Sequence, residues 1–113
     1  TKMVIETHRD SISRAIAAGV KVAMGTDSGV TPHGQNLREL EQMVACGMSP
    51  AQAVIATTRT AAHWMGLADD RGSLEPGKRA DVVIARGLPF ELADLRSRIR
   101  WVVQAGKVVV AVP

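Results

Sequence analysis

The sequence has 113 residues, with 14 basic and 11 acidic side chains, a net charge of +3 and a single cysteine. This length suits one domain with a modest core, and the small charge excess argues against a nucleic-acid partner. No run approaches the roughly 20 apolar residues that a membrane helix requires. One cysteine excludes an internal disulfide and is compatible with a reducing compartment, so a cytoplasmic setting is expected.

The first part of the chain predicts a helix, then a strand. Apolar residues recur at helical spacing over residues 2–18, and Gly19 is placed to form a left-handed C-cap. In Val20–Gly25 successive side chains alternate between two sides, which predicts a strand. Asp27 stands just past the end of this strand, and glycines and a proline then mark a loop.

Three helices are predicted after this loop. Asn36 is a suitable N-cap, with Glu39 completing a capping box. Ser49 begins the next helix, where a proline follows at the first helical position and Gln52 stands at the third. Thr60 is expected to cap a short third helix.

The chain changes character near Leu67 and is then rich in turns and β-branched residues. Residues 81–86 predict a strand, and residues 88–98 a loop with a helical turn at about 90–95. Two further strands, 99–104 and 107–112, are predicted to form a hairpin around Ala-Gly.

Asp27 is the main candidate for chemistry. Barrel and open α/β folds place reacting groups at the C-terminal ends of strands, in strand–loop–helix units. The alternative is a turn or capping aspartate. Thr26 and Ser28 flank Asp27 and can orient it, although hydrogen bonds to the turn backbone are favoured. His33 follows in the loop and is either a substrate contact or a surface histidine.

Three segments together resemble one family. Gly-Thr-Asp-Ser-Gly at residues 25–29, between Ala-Ala-Gly-Val and Pro-His-Gly, resembles the eighth-strand segment of metal-dependent hydrolases of the amidohydrolase superfamily. Residues 61–67 and 72–84 resemble the same family in the same order. Within the superfamily the sequence is most similar to the imidazolonepropionase, prolidase and peptidase-type group.

This resemblance implies an α/β fold. Residues 1–67 would form the C-terminal part of a (β/α)8 TIM barrel, with its last strand and the following helices. Residues 68–113 would supply the closing strands of a small composite β-sandwich. Because such a barrel needs about 250 residues, the chain is expected to be a fragment whose partner is the missing N-terminal part of the barrel.

The resemblance also implies an activity. The expected reaction is metal-dependent hydrolysis of a C–N amide or peptide bond in a small-molecule substrate, such as a dipeptide or an N-acyl amino acid. A cyclic amide of the imidazolone kind is the close alternative. A hypothesis of another class is a non-catalytic α/β binding or scaffold module, in which Asp27 only caps.

The site implied by the resemblance is incomplete in this chain. Asp27 would be both a ligand of Zn²⁺, with one or two ions in the intact enzyme, and the general acid/base. His33 would contact the substrate. The histidine ligands, and the lysine that bridges two metals, would come from strands outside this chain. The fragment alone is therefore expected to be inactive.

The predicted strands raise a question of association. Val82–Ile84 and Val108–Val110 are apolar and β-prone, and unpaired strand edges pair readily with other chains. The chain is therefore expected either to form a homo-oligomer or to be covered by the missing part of its enzyme.

Overall fold

The computed structural model describes residues 2–88 and 90–113. Among these residues, no helix combines the length and the apolar character needed to cross a bilayer. The elements in chain order are α1 (Lys2–Ala17), α2 (Arg38–Ala45), α3 (Pro50–Ile55), a π-helical turn (Ala56–Thr60), α4 (Ala61–Trp64), β1 (Val82–Ala85), α5 (Leu95–Arg98), β2 (Ile99–Gln104) and β3 (Lys107–Ala111).

Helix α1 ends as the sequence predicts. Gly19 has a φ of 77° and therefore adopts the left-handed conformation that glycine tolerates best. Its N–H donates to the carbonyl of Ile16 at 3.0 Å, and the N–H of Val20 donates to that of Ala15 at 3.0 Å. These two bonds form a Schellman motif, which stops the helix and turns the chain toward Asp27.

The strand predicted over Val20–Gly25 is not formed, and this prediction is wrong. The segment has no regular secondary structure, although Val22 and Met24 are half-buried between exposed neighbours. The side chains of this segment therefore alternate between half-buried and exposed although no strand hydrogen bonds are formed. A strand needs the backbone of a neighbouring strand. In the described residues, apart from the Val20 bond that ends α1, the main chain of this segment bonds only from Met24 N–H to the carbonyl of Ala56, at 3.4 Å.

The helices after the loop depart from the predicted caps in two places. Helix α2 has Leu37 at its N-cap without a side-chain hydrogen bond, so the capping box of Asn36 and Glu39 is wrong. Thr60 does not cap either, because α3, the π-helical turn and α4 follow one another in continuous helical backbone.

The capping box of Ser49 and Gln52 is confirmed. The Gln52 N–H donates to Ser49 Oγ at 3.2 Å, and the Ser49 N–H donates to Gln52 Oε1 at 2.8 Å. A box of this kind stabilises a helix start by about 1 kcal/mol. It fixes where α3 begins and therefore how α3 meets α2.

The core lies between α2 and α3. Its buried members are Leu40, Met43, Met48, Ala53, Ala56 and Leu92. Val22 and Met24 pack against this cluster. The segment that leads to Asp27 is therefore attached to the core by side chains rather than by strand pairing.

The last part of the chain forms a three-stranded antiparallel sheet in the order β1-β2-β3. The predicted hairpin is confirmed: Ala105 and Gly106 have φ of 49° and 79°, the pair of positive values that a two-residue type I′ turn requires. Asp81 Oδ1 accepts a hydrogen bond from the Ala105 N–H at 2.8 Å, which ties the turn to the start of β1.

The helical turn between β1 and β2 lies later than predicted. Asp94 has a left-handed backbone with a φ of 51°, and α5 begins only after it, at Leu95. A helix cannot include a left-handed residue, so the turn expected at 90–95 moves to 95–98. Pro89, within the predicted loop, lies outside the described residues.

Candidate functional site

Asp27 follows the segment Val20–Gly25, which packs on the core, and stands near the beginning of a tight turn. Its backbone is left-handed, with a φ of 47°; among non-glycine residues, aspartate adopts this conformation comparatively readily. Its carbonyl accepts hydrogen bonds from the N–H groups of Val30 at 3.1 Å and Thr31 at 3.3 Å. The main chain of Asp27 therefore makes the turn, and its side chain is left for other roles.

The carboxylate of Asp27 is exposed. It forms no hydrogen bond or ion pair with any residue in the ranges 2–88 and 90–113. Within the described chain, the Asp27 side chain thus caps neither a helix nor a turn, whereas its main chain does form a turn.

Residues 26–31, the Asp27 turn, are bonded internally. Thr31 Oγ1 donates to the carbonyl of Thr26 at 2.9 Å, and the N–H of Gly29 donates to the carbonyl of Thr31 at 3.0 Å. Ser28 and Thr31 also form an isolated β-bridge. The turn is therefore a closed loop of backbone with Asp27 near its beginning.

The hydroxyls on either side of Asp27 bond to a residue outside the turn. Asn36 Nδ2 donates to Thr26 Oγ1 and to Ser28 Oγ, both at 2.8 Å, and these two oxygens lie 3.1 Å apart. This explains why Asn36 does not cap α2. The hydrogen bonds to the turn backbone expected for Thr26 and Ser28 are not formed among the described residues, because the hydroxyls bond to Asn36 and to each other.

His33 lies exposed in the turn that follows. The carbonyl of the next residue, Gly34, accepts a hydrogen bond from Arg96 Nη1 at 2.7 Å. A Cβ at position 34 would lie 3.3 Å from this guanidinium, and the φ of Gly34 is 83°. Arg96, on α5, therefore holds the loop that carries His33. The sequence carries no local signal of this, since the two residues are 62 positions apart.

The donor set for a metal is partial. Among the described residues, no group of three or more His, Cys, Asp or Glu side chains is placed to hold a metal ion. A catalytic zinc site normally takes three protein ligands and keeps one open position. The exposed carboxylate of Asp27 fits the part of one oxygen ligand in such a set.

Two acidic residues in the turn-rich segment after Leu67 are held by structural contacts. The hydrogen bond from Arg71 to the Asp70 carboxylate, at 2.7 Å, keeps the pKa of Asp70 below its ordinary value of 3.8. The Ser73 hydroxyl, and then Lys78, lower the pKa of Glu75 below its ordinary value of 4.5. Partners of this kind keep both carboxylates charged and committed to the turn.

The sequence has recognisable relatives. The model of the amidohydrolase family matches residues 1–110. An imidazolonepropionase from Geobacillus kaustophilus is 42% identical over 87 residues, which cover 74% of this chain and 20% of the relative.

Solved structures share the fold. A Xaa-Pro dipeptidase with bound methionine in its active site superposes with a TM-score of 0.83 and 35% identity, over 88% of this chain and 25% of that one. An ochratoxinase from A. niger superposes with a TM-score of 0.81 and 29% identity, over 95% of this chain and 25% of that one.

The chain spans about a fifth of the length of the curated relative and about a quarter of each solved structure. The predicted fold class is confirmed, since the match is to a portion of amidohydrolase TIM barrels and includes a small antiparallel sheet. The chain therefore belongs to the amidohydrolase family.

Proposed function

We propose that this chain is the C-terminal segment of a metal-dependent enzyme that hydrolyses a C–N amide or peptide bond in a small molecule. The observation that carries the proposal is the state of Asp27. Its carboxylate is exposed and uncommitted within the described chain, at the end of a segment attached to the core. The family match to residues 1–110 supports the reaction class.

The amidohydrolase superfamily is metal-dependent, and we propose Zn²⁺ as the metal. Asp27 would hold it through a carboxylate oxygen, a ligand type that zinc accepts. The remaining ligands would come from the rest of the barrel. The ion would supply a Lewis acid that polarises the amide carbonyl.

The chain's own residues would contribute proton transfer and binding. The Asp27 carboxylate would accept a proton from the attacking water and return it to the leaving amine, as a general base and then a general acid. The His33 imidazole would donate a hydrogen bond to a carbonyl or carboxylate oxygen of the substrate. Arg96 would keep the His33 loop in place through the carbonyl of Gly34.

Two substrate classes are supported by different relatives. The solved neighbour named a Xaa-Pro dipeptidase favours a dipeptide. An N-acyl amino acid belongs to the same proposed class because it presents an amide bond to an amino acid. The relative named an imidazolonepropionase favours a cyclic amide, the second candidate. Substrates of both classes contain an amide bond, so the proposed roles of Asp27 and His33 apply to both classes. Turnover of Xaa-Pro dipeptides, N-acyl amino acids and imidazolone propionate by one preparation of the enzyme with its complete barrel separates the two classes.

Asp27→Asn tests the function in the enzyme with its complete barrel. We expect kcat/KM to fall by about 10²- to 10⁴-fold, because the amide can neither accept the proton nor neutralise a metal. The zinc content, measured by atomic emission after dialysis, should fall as well. The control is Asp69→Asn, at an exposed aspartate in the turn-rich segment.

A scaffold or binding module predicts a different result. In that case Asp27→Asn would match Asp69→Asn in kcat/KM and in zinc content. Treatment of the wild type with a chelator would leave its kcat/KM unchanged. Either result would remove the hydrolase proposal.

A further inference from the structure

The hydrogen bonds around Asp27 converge on one side chain outside the turn. Asn36 is half-buried, lies two positions before α2, and donates to Thr26 Oγ1 and Ser28 Oγ at 2.8 Å each. A primary amide carries two N–H donors, so both donors of Asn36 are used. The residue between the two acceptors is Asp27.

The three polar groups form a closed triangle. Because Thr26 Oγ1 and Ser28 Oγ also lie 3.1 Å apart, each group contacts the other two. Rotation of either hydroxyl-bearing residue would break at least one of these hydrogen bonds. Asn36 itself adjoins α2, whose Leu40 and Met43 are buried in the core. The backbone on both sides of Asp27 is therefore connected to the core through one amide.

Asp27 needs such a connection. A left-handed backbone is less favourable for an L-amino acid than the common conformations, so it persists only where the surroundings hold it. Without the Asn36 amide, the turn would be held by the bonds within residues 26–31 and, on its N-terminal side, by the packing of Val22 and Met24 on the core. The C-terminal side of Asp27 would then lose its side-chain link to Asn36 beside α2.

We propose that Asn36 is a positioning residue for Asp27. It bonds the hydroxyls on both sides of Asp27 and so presents the carboxylate in one conformation. Asn36 acts through Thr26 and Ser28 rather than by contact with metal or substrate. This inference rests on the proposed function, in which Asp27 is the metal ligand and general acid/base.

The first test compares Asn36→Ala with Gln35→Ala in the enzyme with its complete barrel. Gln35 is the adjacent exposed amide, and it accepts a hydrogen bond from Arg38 Nη1 at 3.1 Å, so its removal leaves the Asp27 turn intact. We expect Asn36→Ala to weaken Zn²⁺ affinity by about 10- to 100-fold, in competition with a chromophoric chelator. The visible spectrum of the Co²⁺-loaded protein should change as well.

We expect Asn36→Ala to change kcat but not KM. A displaced proton-transfer group lowers kcat, whereas substrate binding through other residues is retained, so KM should stay within about twofold. Gln35→Ala should match the wild type in affinity, spectrum and kcat. If Asn36→Ala matches Gln35→Ala in all three, the inference is overturned.

A second readout is independent of the metal. In the metal-free protein, Asn36→Ala should accelerate amide hydrogen exchange at Val30 and Thr31, whose N–H groups donate to the carbonyl of Asp27. Unchanged exchange at these amides would mean that Asn36 does not hold the turn, contrary to the inference.

A third test examines whether Asn36 acts on Asp27 through the hydroxyls of Thr26 and Ser28. The double variant Thr26→Val/Ser28→Ala removes the acceptors and keeps Asn36, so it should reproduce the loss of Zn²⁺ affinity. It also serves if Asn36→Ala does not fold. Adding Asn36→Ala to this background should cost little more, because residues that act as one unit are non-additive. A full additional loss would overturn the proposed path.

Asp27→Asn separates this inference from the proposed function. If that variant keeps its Zn²⁺ affinity, the proposed function fails and the positioning role fails with it. If Asp27→Asn loses the metal while Asn36→Ala behaves like Gln35→Ala, only the positioning role fails.

Discussion

Asp27 differs from an ordinary turn aspartate in the atom that closes its turn. Turn aspartates commonly use the side-chain carboxylate to bond their own backbone two residues on. Here the main-chain carbonyl of Asp27 takes the N–H groups of Val30 and Thr31 instead. The turn is thus made without the carboxylate, which is what a metal ligand on a turn requires.

His33→Ala is the prediction for the second candidate residue. If the imidazole bonds a substrate oxygen, its loss should raise KM by about tenfold and leave kcat within about twofold, as expected for a contact made equally in ground and transition states. His63→Ala is the control, since His63 is exposed on α4. Steady-state kinetics of the enzyme with its complete barrel give both constants. Equal KM values in the two variants would identify His33 as a surface histidine.

Prediction from sequence succeeded or failed at single residues according to the range of their interactions. The Ser49–Gln52 box and the Gly19 cap involve neighbours within five positions, so their pattern is visible in the sequence. Asn36 also has the pattern of a cap, but acceptors eight and ten positions away engage its amide instead. Its pairing with loop hydroxyls depends on the folded position of the loop.

At the scale of elements, helices form their backbone hydrogen bonds within themselves, whereas the predicted strand Val20–Gly25 cannot. A helix satisfies most of its backbone hydrogen bonds internally, so α1 and α2 need no neighbouring backbone to form their hydrogen bonds. Val20–Gly25 has the alternation of a strand, but a ladder needs another strand beside it. Among the described residues no strand pairs with this segment, which is held instead by the packing of Val22 and Met24 on the core.

Gly72→Ala probes the packing of the turn-rich segment against the helices. Gly72 has a φ of 96°, and a Cβ there would overlap the Cβ of Ala62 and approach the carbonyl of Thr58 at 3.1 Å. Gly77→Ala is the matched control, because Gly77 has a similar φ of 89° with open space around it. We expect Gly72→Ala to lower the free energy of unfolding by about 1–3 kcal/mol more than the control.

Chemical denaturation of both variants measures this difference. Each variant carries the backbone strain of a positive φ, so the difference between them reports the steric overlap alone. Equal denaturation midpoints would contradict the contact between Gly72 and Ala62.

At the scale of the molecule, many apolar side chains remain uncovered. Val109 in the sheet is 54% exposed and Met3 in α1 is 76% exposed. The sheet ends in β3, whose outer edge has no strand beside it among the described residues. Such surfaces are typical of elements that a further part of a protein covers. This agrees with a chain that spans about a quarter of its solved neighbours.

The 113-residue chain expressed alone is therefore expected to self-associate. Its weight-average sedimentation coefficient should rise with concentration. Val109→Lys, on the edge strand, should reduce the rise, because a charge on an edge opposes strand pairing. Leu74→Lys is the control, at an exposed apolar residue outside the sheet. A monomer at all concentrations would contradict this expectation.

The hydrogen bond from Arg96 to the carbonyl of Gly34 has a consequence for hybrid proteins. A chimera in which everything after Leu88 comes from a distant relative would inherit the strands but could lack an arginine at this position. Its His33 loop would then be released even though every residue of the loop is unchanged. If His33 contacts the substrate as proposed, exchange of the tail between family members should therefore alter substrate preference unless the guanidinium is carried along.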